Sequence, residues 1–191
     1  ERVAADINAV KELTGVEATA VTKIEIYDVE NAGTTSFNLI GNKPITGDEA
    51  NFAFSVSAQI ADKTDLNPLV TAINTQSSNT GITATIGSTA ASVILTHSTG
   101  EDIELRSVLT GADTTDTFKI RVLDKFGNNV SSVDDTLFRT SATGEDDKDT
   151  VGNTTLGYSA VGQLTLTSVK SFVLEGDHAT EAQGYFHTGS T

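Results

Sequence analysis

The side chains best suited to acid-base chemistry near neutral pH are three histidines, His97, His178 and His187, because imidazole alone titrates there without help. No His-Glu-x-x-His pair and no Gly-x-Ser-x-Gly elbow accompanies them, so neither a zinc hydrolase nor a serine hydrolase has a local signature. His97 and Asp102 could meet a serine through folding, but a chain this rich in Ser and Asp offers such triples everywhere. The three are read as exposed or hairpin-edge histidines. Glu145-Asp146-Asp147 with Asp149 could gather a calcium ion, a hard cation that takes about six to eight oxygen ligands. The stretch lacks the alternating Asp spacing of a dedicated calcium loop, and Asp113, Asp116, Asp134 and Asp135 are scattered. A solvated acidic surface is the first reading and weak divalent binding the lesser one. Phosphate-cradling patterns such as Gly-x-Gly-x-x-Gly are missing from the sequence. Asn129-Val130-Ser131 and Asn153-Thr154-Thr155 match the N-glycosylation triplet, which is short enough to arise by chance. No catalytic, cofactor-binding or metal-binding residue is assigned, no cofactor is expected, and the chain is not expected to be an enzyme.

Composition narrows the partners. The formal net charge is −14 over 191 residues, which repels phosphate backbones and anionic lipid heads, so neither nucleic acid nor a membrane surface is an expected partner. No apolar run approaches the roughly 20 residues needed to span a bilayer, and no basic-then-apolar signal segment opens the chain. With no Cys, disulfides and thiolate metal sites are ruled out. The joint absence of Cys and Met fits exposure to oxidants outside the cell. Apolar residues make up 37 % of the chain and aromatic ones 6 %, so the core must be built from Val, Ile, Leu, Ala and Phe, which suits strands better than helix bundles.

The elements that would position any site follow from periodicity. Val3, Ile7 and Val10, with Ala4, place an apolar stripe on a short opening helix that Thr14-Gly15 stops. Strands are predicted at Val16–Val29 and Ser36–Ile40, then a turn at Gly41-Asn42-Lys43-Pro44, then a strand at Asn51–Ile60 with Phe52, Phe54, Val56, Ala58 and Ile60 on one face. Asn67-Pro68 reads as an N-cap followed by a first-turn proline, opening a second short helix with Leu66, Leu69, Val70 and Ile73 inward. Thr80-Gly81 ends it. Strands follow at Ile82–Ile86, Ser92–Thr96, Asp102–Leu105 and Thr117–Leu123. Asp124-Lys125-Phe126-Gly127-Asn128 reads as a hairpin turn leading to one or two short strands over Val130–Phe138. Ala142–Asn153 is a charged loop, and Leu156–Leu174 is strand-like, with Val161, Leu164, Leu166, Val169, Phe172 and Val173 as core candidates. The fold class is α+β, mostly β: antiparallel sheets with two short helices in helix-turn-strand repeats, as one body or two lobes. The segments are 1–48, 49–112 and 113–191, the last completing the same lobes.

Residues 7–19 align without a gap on residues 73–85. Six of these thirteen pairs are identical: Ile7/Ile73, Asn8/Asn74, Thr14/Thr80, Gly15/Gly81, Ala18/Ala84 and Thr19/Thr85. Each copy reads as a helix whose Ile packs down, a polar Asn near its end, a Thr-Gly stop and a strand leaving with small residues inward. Gly15 and Gly81 serve the backbone, not chemistry. The second copy has a leading strand that the first lacks, and the chain is read as a fragment cut at Glu1 from a longer parent.

The run Ile-Asn, six residues ending in Thr, then Gly-Ile/Val-x-Ala-Thr resembles the "IN" motif of bacterial flagellins and hook-associated proteins. Val93-Ile94-Leu95 and Gly100-Glu101-Asp102-Ile103-Glu104-Leu105 are similar to that motif's closing hairpin. The resemblance implies the central variable outer domain of a flagellin, displayed in the extracellular space on the filament surface. Ile7, Asn8, Thr14, Gly15, Ile73, Asn74, Thr80 and Gly81 would be its structural motif residues. Its partners would be other flagellin subunits, through inner domains outside this chain, and O-linked glycans on its Ser and Thr residues. Long heptad-patterned helices are missing here, so this part alone is expected to be monomeric and not to form filaments. The alternative is a ligand-binding module of a secreted adhesin or glycan-binding protein, whose mark would be clustered exposed aromatics. Tyr27, Tyr158 and Tyr185 are widely spaced.

Overall fold

A computed structural model describes residues 2–42, 52–109, 117–130, 135–138 and 157–171. Two short helical turns open it, α1 (Arg2–Ala9) and α2 (Lys11–Thr14), followed by the long strand β1 (Val16–Tyr27) and by β2 (Gly33–Ile40) and β3 (Phe54–Ile60). The second helical pair is α3 (Asn67–Thr75) and α4 (Ser77–Thr80). Strands β4 (Ile82–Ile86), β5 (Val93–His97), β6 (Ile103–Leu109), β7 (Thr117–Leu123), β8 (Asp135–Phe138), β9 (Gly157–Ala160) and β10 (Gln163–Ser168) complete the described chain. The class is α+β, mostly β, with every strand pair antiparallel.

Strand β1 organises the first sheet. Its early half, Val16–Val21, pairs with β10, and its later half lies between β5 and β7. The sheet runs β4-β5-β1-β7-β8 with β10 on β1, and a second sheet runs β3-β2-β6-β9. Strand pairing therefore joins residues from all three segments of the sequence. Alternating apolar residues account for the burial. Ile24 and Ile26 of β1, Phe118 and Ile120 of β7, Phe37 and Leu39 of β2, and Val56, Ala58 and Ile60 of β3 meet in one core with Leu66, Leu69 and Ile73. At about 25 cal/mol per Å² of apolar surface, burial of each such large side chain contributes about 1.5–3 kcal/mol.

The expected turn at Asp124–Asn128 is present and returns the chain to an Asn129 bridge with Leu123. Several expectations are corrected. Val3 and Val10 are each 44 % exposed, and the inward side of α1 is carried by Ala4 and, in part, Ile7. Val10 stands outside the helical turns, at φ −110° and ψ 12°, where the helix breaks. Asn67 is not the N-cap: Leu66 holds that position without a side-chain bond, and Asp65 Oδ1 accepts from both the Asn67 N–H and its Nδ2, at 3.0 and 2.7 Å. The expected closing hairpin does not form. Strand β5 pairs with β1 and β4, while β6 crosses to the other sheet beside β2 and β9, because alternation sets which face of a strand is buried but not which sheet receives it. Val161 and Val169 are 68 % and 98 % exposed, lying just outside β10, and Leu164 and Leu166 are only half-buried. Residues 43–51, the Glu145–Asp149 stretch, Asp113, Asp116, Asp134, Phe172, Val173, His178, Tyr185, His187 and the Asn153 triplet lie outside the described residues.

Candidate functional site

The two Ile-Asn motifs fold into the same device. In each, the helix breaks (at Val10 and at Gln76), one further turn follows, and a glycine in the left-handed region ends it: Gly15 at φ 68° and Gly81 at φ 71°. A Cβ-bearing residue is strained there, which explains the glycine at both positions. The glycine N–H closes the last turn, Gly15 onto Lys11 O at 2.7 Å and Gly81 onto Ser77 O at 2.9 Å. The threonine just before it works in both directions. Thr14 Oγ1 donates to Val10 O and accepts from Val16 N–H, and Thr80 Oγ1 donates to Gln76 O and accepts from Ile82 N–H. Helix end and strand start are thus tied by one hydroxyl, a side-chain use that competes with regular helix and so favours its end.

The asparagine is the centre of each motif. Asn8 Nδ2 donates to Ala18 O and Asn8 Oδ1 accepts from Ala18 N–H, both at 2.8 Å. Asn74 does the same to Ala84, at 2.9 and 2.8 Å. An amide carries one acceptor and a donor group, so it mimics a neighbouring strand and satisfies both backbone groups of one residue. Asp would lose the donor. The small, buried Ala18 and Ala84 let the helix come that close. The sequence had marked the Asn as a shared polar residue without showing its partner, which lies ten positions along the chain.

Ile7 and Ile73 occupy matching places with unequal burial: Ile73 is fully buried and Ile7 only partly. The corners also differ in their third element. Strand β4 pairs with β5, placing His97 opposite Ile82, whereas the early half of β1 pairs with β10, placing Ser168 opposite Val16. His97 is buried, correcting the exposed alternative, and its ring engages Asn42 Oδ1 at 3.0 Å and Thr99 Oγ1 at 3.2 Å. It packs the Gly81 corner.

One open cleft, of about 300 Å³, is lined by Glu25, Tyr27, Asp28, Ser88, Thr89 and Arg121 among others. Antiparallel register sets Glu25 directly opposite Arg121. The Arg121 guanidinium binds Glu25 Oε2 through Nε at 2.7 Å and Nη2 at 2.6 Å, and stacks 4.5 Å over the Tyr27 ring. Asp28 pairs with Lys119 at 2.6 Å. These charges neutralise one another across the strands. Sequence reasoning missed the Glu25-Arg121 pair, since its members lie 96 residues apart. Tyr158, by contrast, packs against the core. Among the described residues no group of three or more His, Asp or Glu could hold a metal ion, and no helix is long and apolar enough to cross a membrane. No protein-family model and no curated protein matches the chain.

Proposed function

We propose that this chain is the surface-exposed outer domain of a bacterial flagellin, a structural decoration of the filament with no catalysis of its own. The observation that supports the reading is the shared geometry of the two Ile-Asn motifs: all eight motif residues recur in pairs, and six of them make matching bonds or turns. Matching hydrogen bonds ten residues apart in both copies argue for duplication of one unit, which is how the resemblance to the flagellin motif reads the sequence. The acidic surface suits display in water, and Ser and Thr in its loops offer hydroxyls for O-linked sugars. Assembly contacts would belong to inner domains of the parent chain. The test is immunogold labelling of cells expressing the parent protein, with antibody raised against residues 1–191. Label along the full length of filaments, lost when this segment is deleted while filaments persist, is the expected result. Label confined to the cell body would overturn it.

One observation favours the second reading, a ligand-binding module of an adhesin or glycan-binding protein: the open cleft beside Tyr27, whose lining includes Ser88 and Thr89. Specific binding of the domain to sugars on a glycan array, abolished by Tyr27→Ala, would support that reading.

A further inference from the structure

In the wall of the cleft beside Tyr27, the Glu25 carboxylate is bonded through only one of its oxygens. Its side chain is 5 % exposed, and the contacts from Arg121 Nε and Nη2 both end on Oε2. Among the described residues no group donates to Oε1. A buried acceptor left without a donor is unfavourable, and more so when it carries charge. Gly87 keeps the space beside this oxygen clear. A β-carbon there would stand 2.8 Å from Glu25 Oε1 and press on Ser92 Oγ, and Gly87 is not among the left-handed glycines, so room rather than backbone conformation calls for glycine. Asp28 lines the same cleft from a left-handed backbone at φ 52°, and its Oδ2 is held by Lys119. Positive φ at a side chain other than glycine is uncommon, and Asp is one of the few that accept it.

We infer that this cleft binds one neutral saccharide ring, and that Glu25 Oε1 accepts a hydrogen bond from one of its hydroxyls. The inference deepens the second reading above, a ligand-binding module, and rests on it. Charge, size and the state of Tyr27 set the ligand class. Glu25 with Arg121 and Asp28 with Lys119 cancel in pairs, so the cleft offers an acceptor oxygen without a net charge, which suits a neutral donor better than an ammonium group. Its volume of about 300 Å³ lies at the small end of ligand clefts and matches a single ring rather than a chain. The Arg121 guanidinium, 4.5 Å from the Tyr27 ring centre, already covers one face of that ring, so hydrogen bonding selects the ligand more than stacking does. A hydroxyl given to a carboxylate makes a charge-assisted bond, stronger than one between neutral groups.

The test is a titration of the isotope-labelled chain, followed by amide chemical shifts, with the methyl glycosides of glucose, galactose, mannose and N-acetylglucosamine, and with methylammonium chloride as the cationic comparison. At least one glycoside is expected to shift the amides of Tyr27, Asp28, Ser88 and Thr89. Its affinity should fall by roughly tenfold or more in Glu25→Gln, where the amide oxygen stays on Arg121 and an NH2 group replaces the accepting Oε1. Gly87→Ala keeps the Glu25-Arg121 pair and sets a methyl beside Oε1, so it should weaken binding as well, and it carries the test if Glu25→Gln does not fold. Unchanged affinity in the folded variant would overturn the inference. So would a stronger response to methylammonium, which would make the cleft a cation site, or no response to any of the four glycosides, which would leave Oε1 to water alone. Sugar binding on the array that is lost in Tyr27→Ala but untouched by Glu25→Gln and Gly87→Ala would sink the role of Oε1 while the second reading stands.

Discussion

At the scale of single residues, Asn74 and Gly81 do work that no similar side chain could replace. Removing the Asn74 amide strands the N–H and C=O of Ala84, partly buried groups whose loss of partners costs about 1–3 kcal/mol. Asn74→Ala should therefore lower stability by about 2 kcal/mol, read as a lower urea midpoint at an unchanged slope. Asn8→Ala should cost less, because water can reach the open face of α1. Gly15 and Gly81 share one conformation but not one environment. A β-carbon on Gly15 would have only Ser168 Oγ near it, at 4.0 Å, whereas on Gly81 it would stand 2.5 Å from His97 Nε2 and 2.7 Å from Asn42 Oδ1. Gly15→Ala is expected to cost about 1 kcal/mol for the left-handed backbone alone, and Gly81→Ala about 2–3 kcal/mol once overpacking is added. Thermal denaturation of the two variants side by side checks the order. Equal losses would mean that the His97 corner yields freely.

At the scale of an element, the turn between β7 and β8 is organised by one carboxylate. Asp124 Oδ1 accepts from the N–H groups of Phe126 and Asn128, both at 2.8 Å, and Oδ2 accepts from Asn128 Nδ2 at 2.9 Å. The Asn128 side chain, and then its backbone N–H, hold the Asp124 pKa below the usual carboxylate value. Asp62 is lowered likewise, first by the Thr64 N–H and then by the Thr64 hydroxyl. A carboxylate with a depressed folded pKa adds stability that is present above its unfolded value, near pH 4, and is lost as pH falls through the folded one. Wild type should therefore lose thermal stability on acidification more steeply than Asp124→Ala. Midpoints measured from about pH 6 down to about pH 2 test this. Parallel curves would show that the Asp124 bonds contribute nothing to the fold's stability.

At the scale of the whole molecule, the two repeats are closed by partners from different distances. Strand β5 follows β4 almost at once, while β10 reaches the early half of β1 from 142 to 152 positions along the chain. Non-local pairing is closed only after a long loop has been ordered. Ending the chain at Ala160 removes β10, and the amides of Val16–Val21 should then exchange faster while those of β4 and β5 stay protected. Hydrogen exchange with residue resolution decides it. Uniform loss of protection would show that the repeats stand or fall together.

Much of this was legible in the residues themselves. Spacing alone located both helices, most of the strands, the Asp124 turn and the thirteen-residue repeat, because periodicity, glycine stops and turn residues are local physics. The left-handed glycines were legible for the same reason, since their constraint lies in their own backbone. What the tertiary structure decided was partnership. It chose β10 for β1, sent β6 away from β5, buried His97, exposed Val3 and Val169, and paired Glu25 with Arg121 across strands distant in sequence. Alternation says which side of a strand is apolar; only packing says what, if anything, comes to cover it.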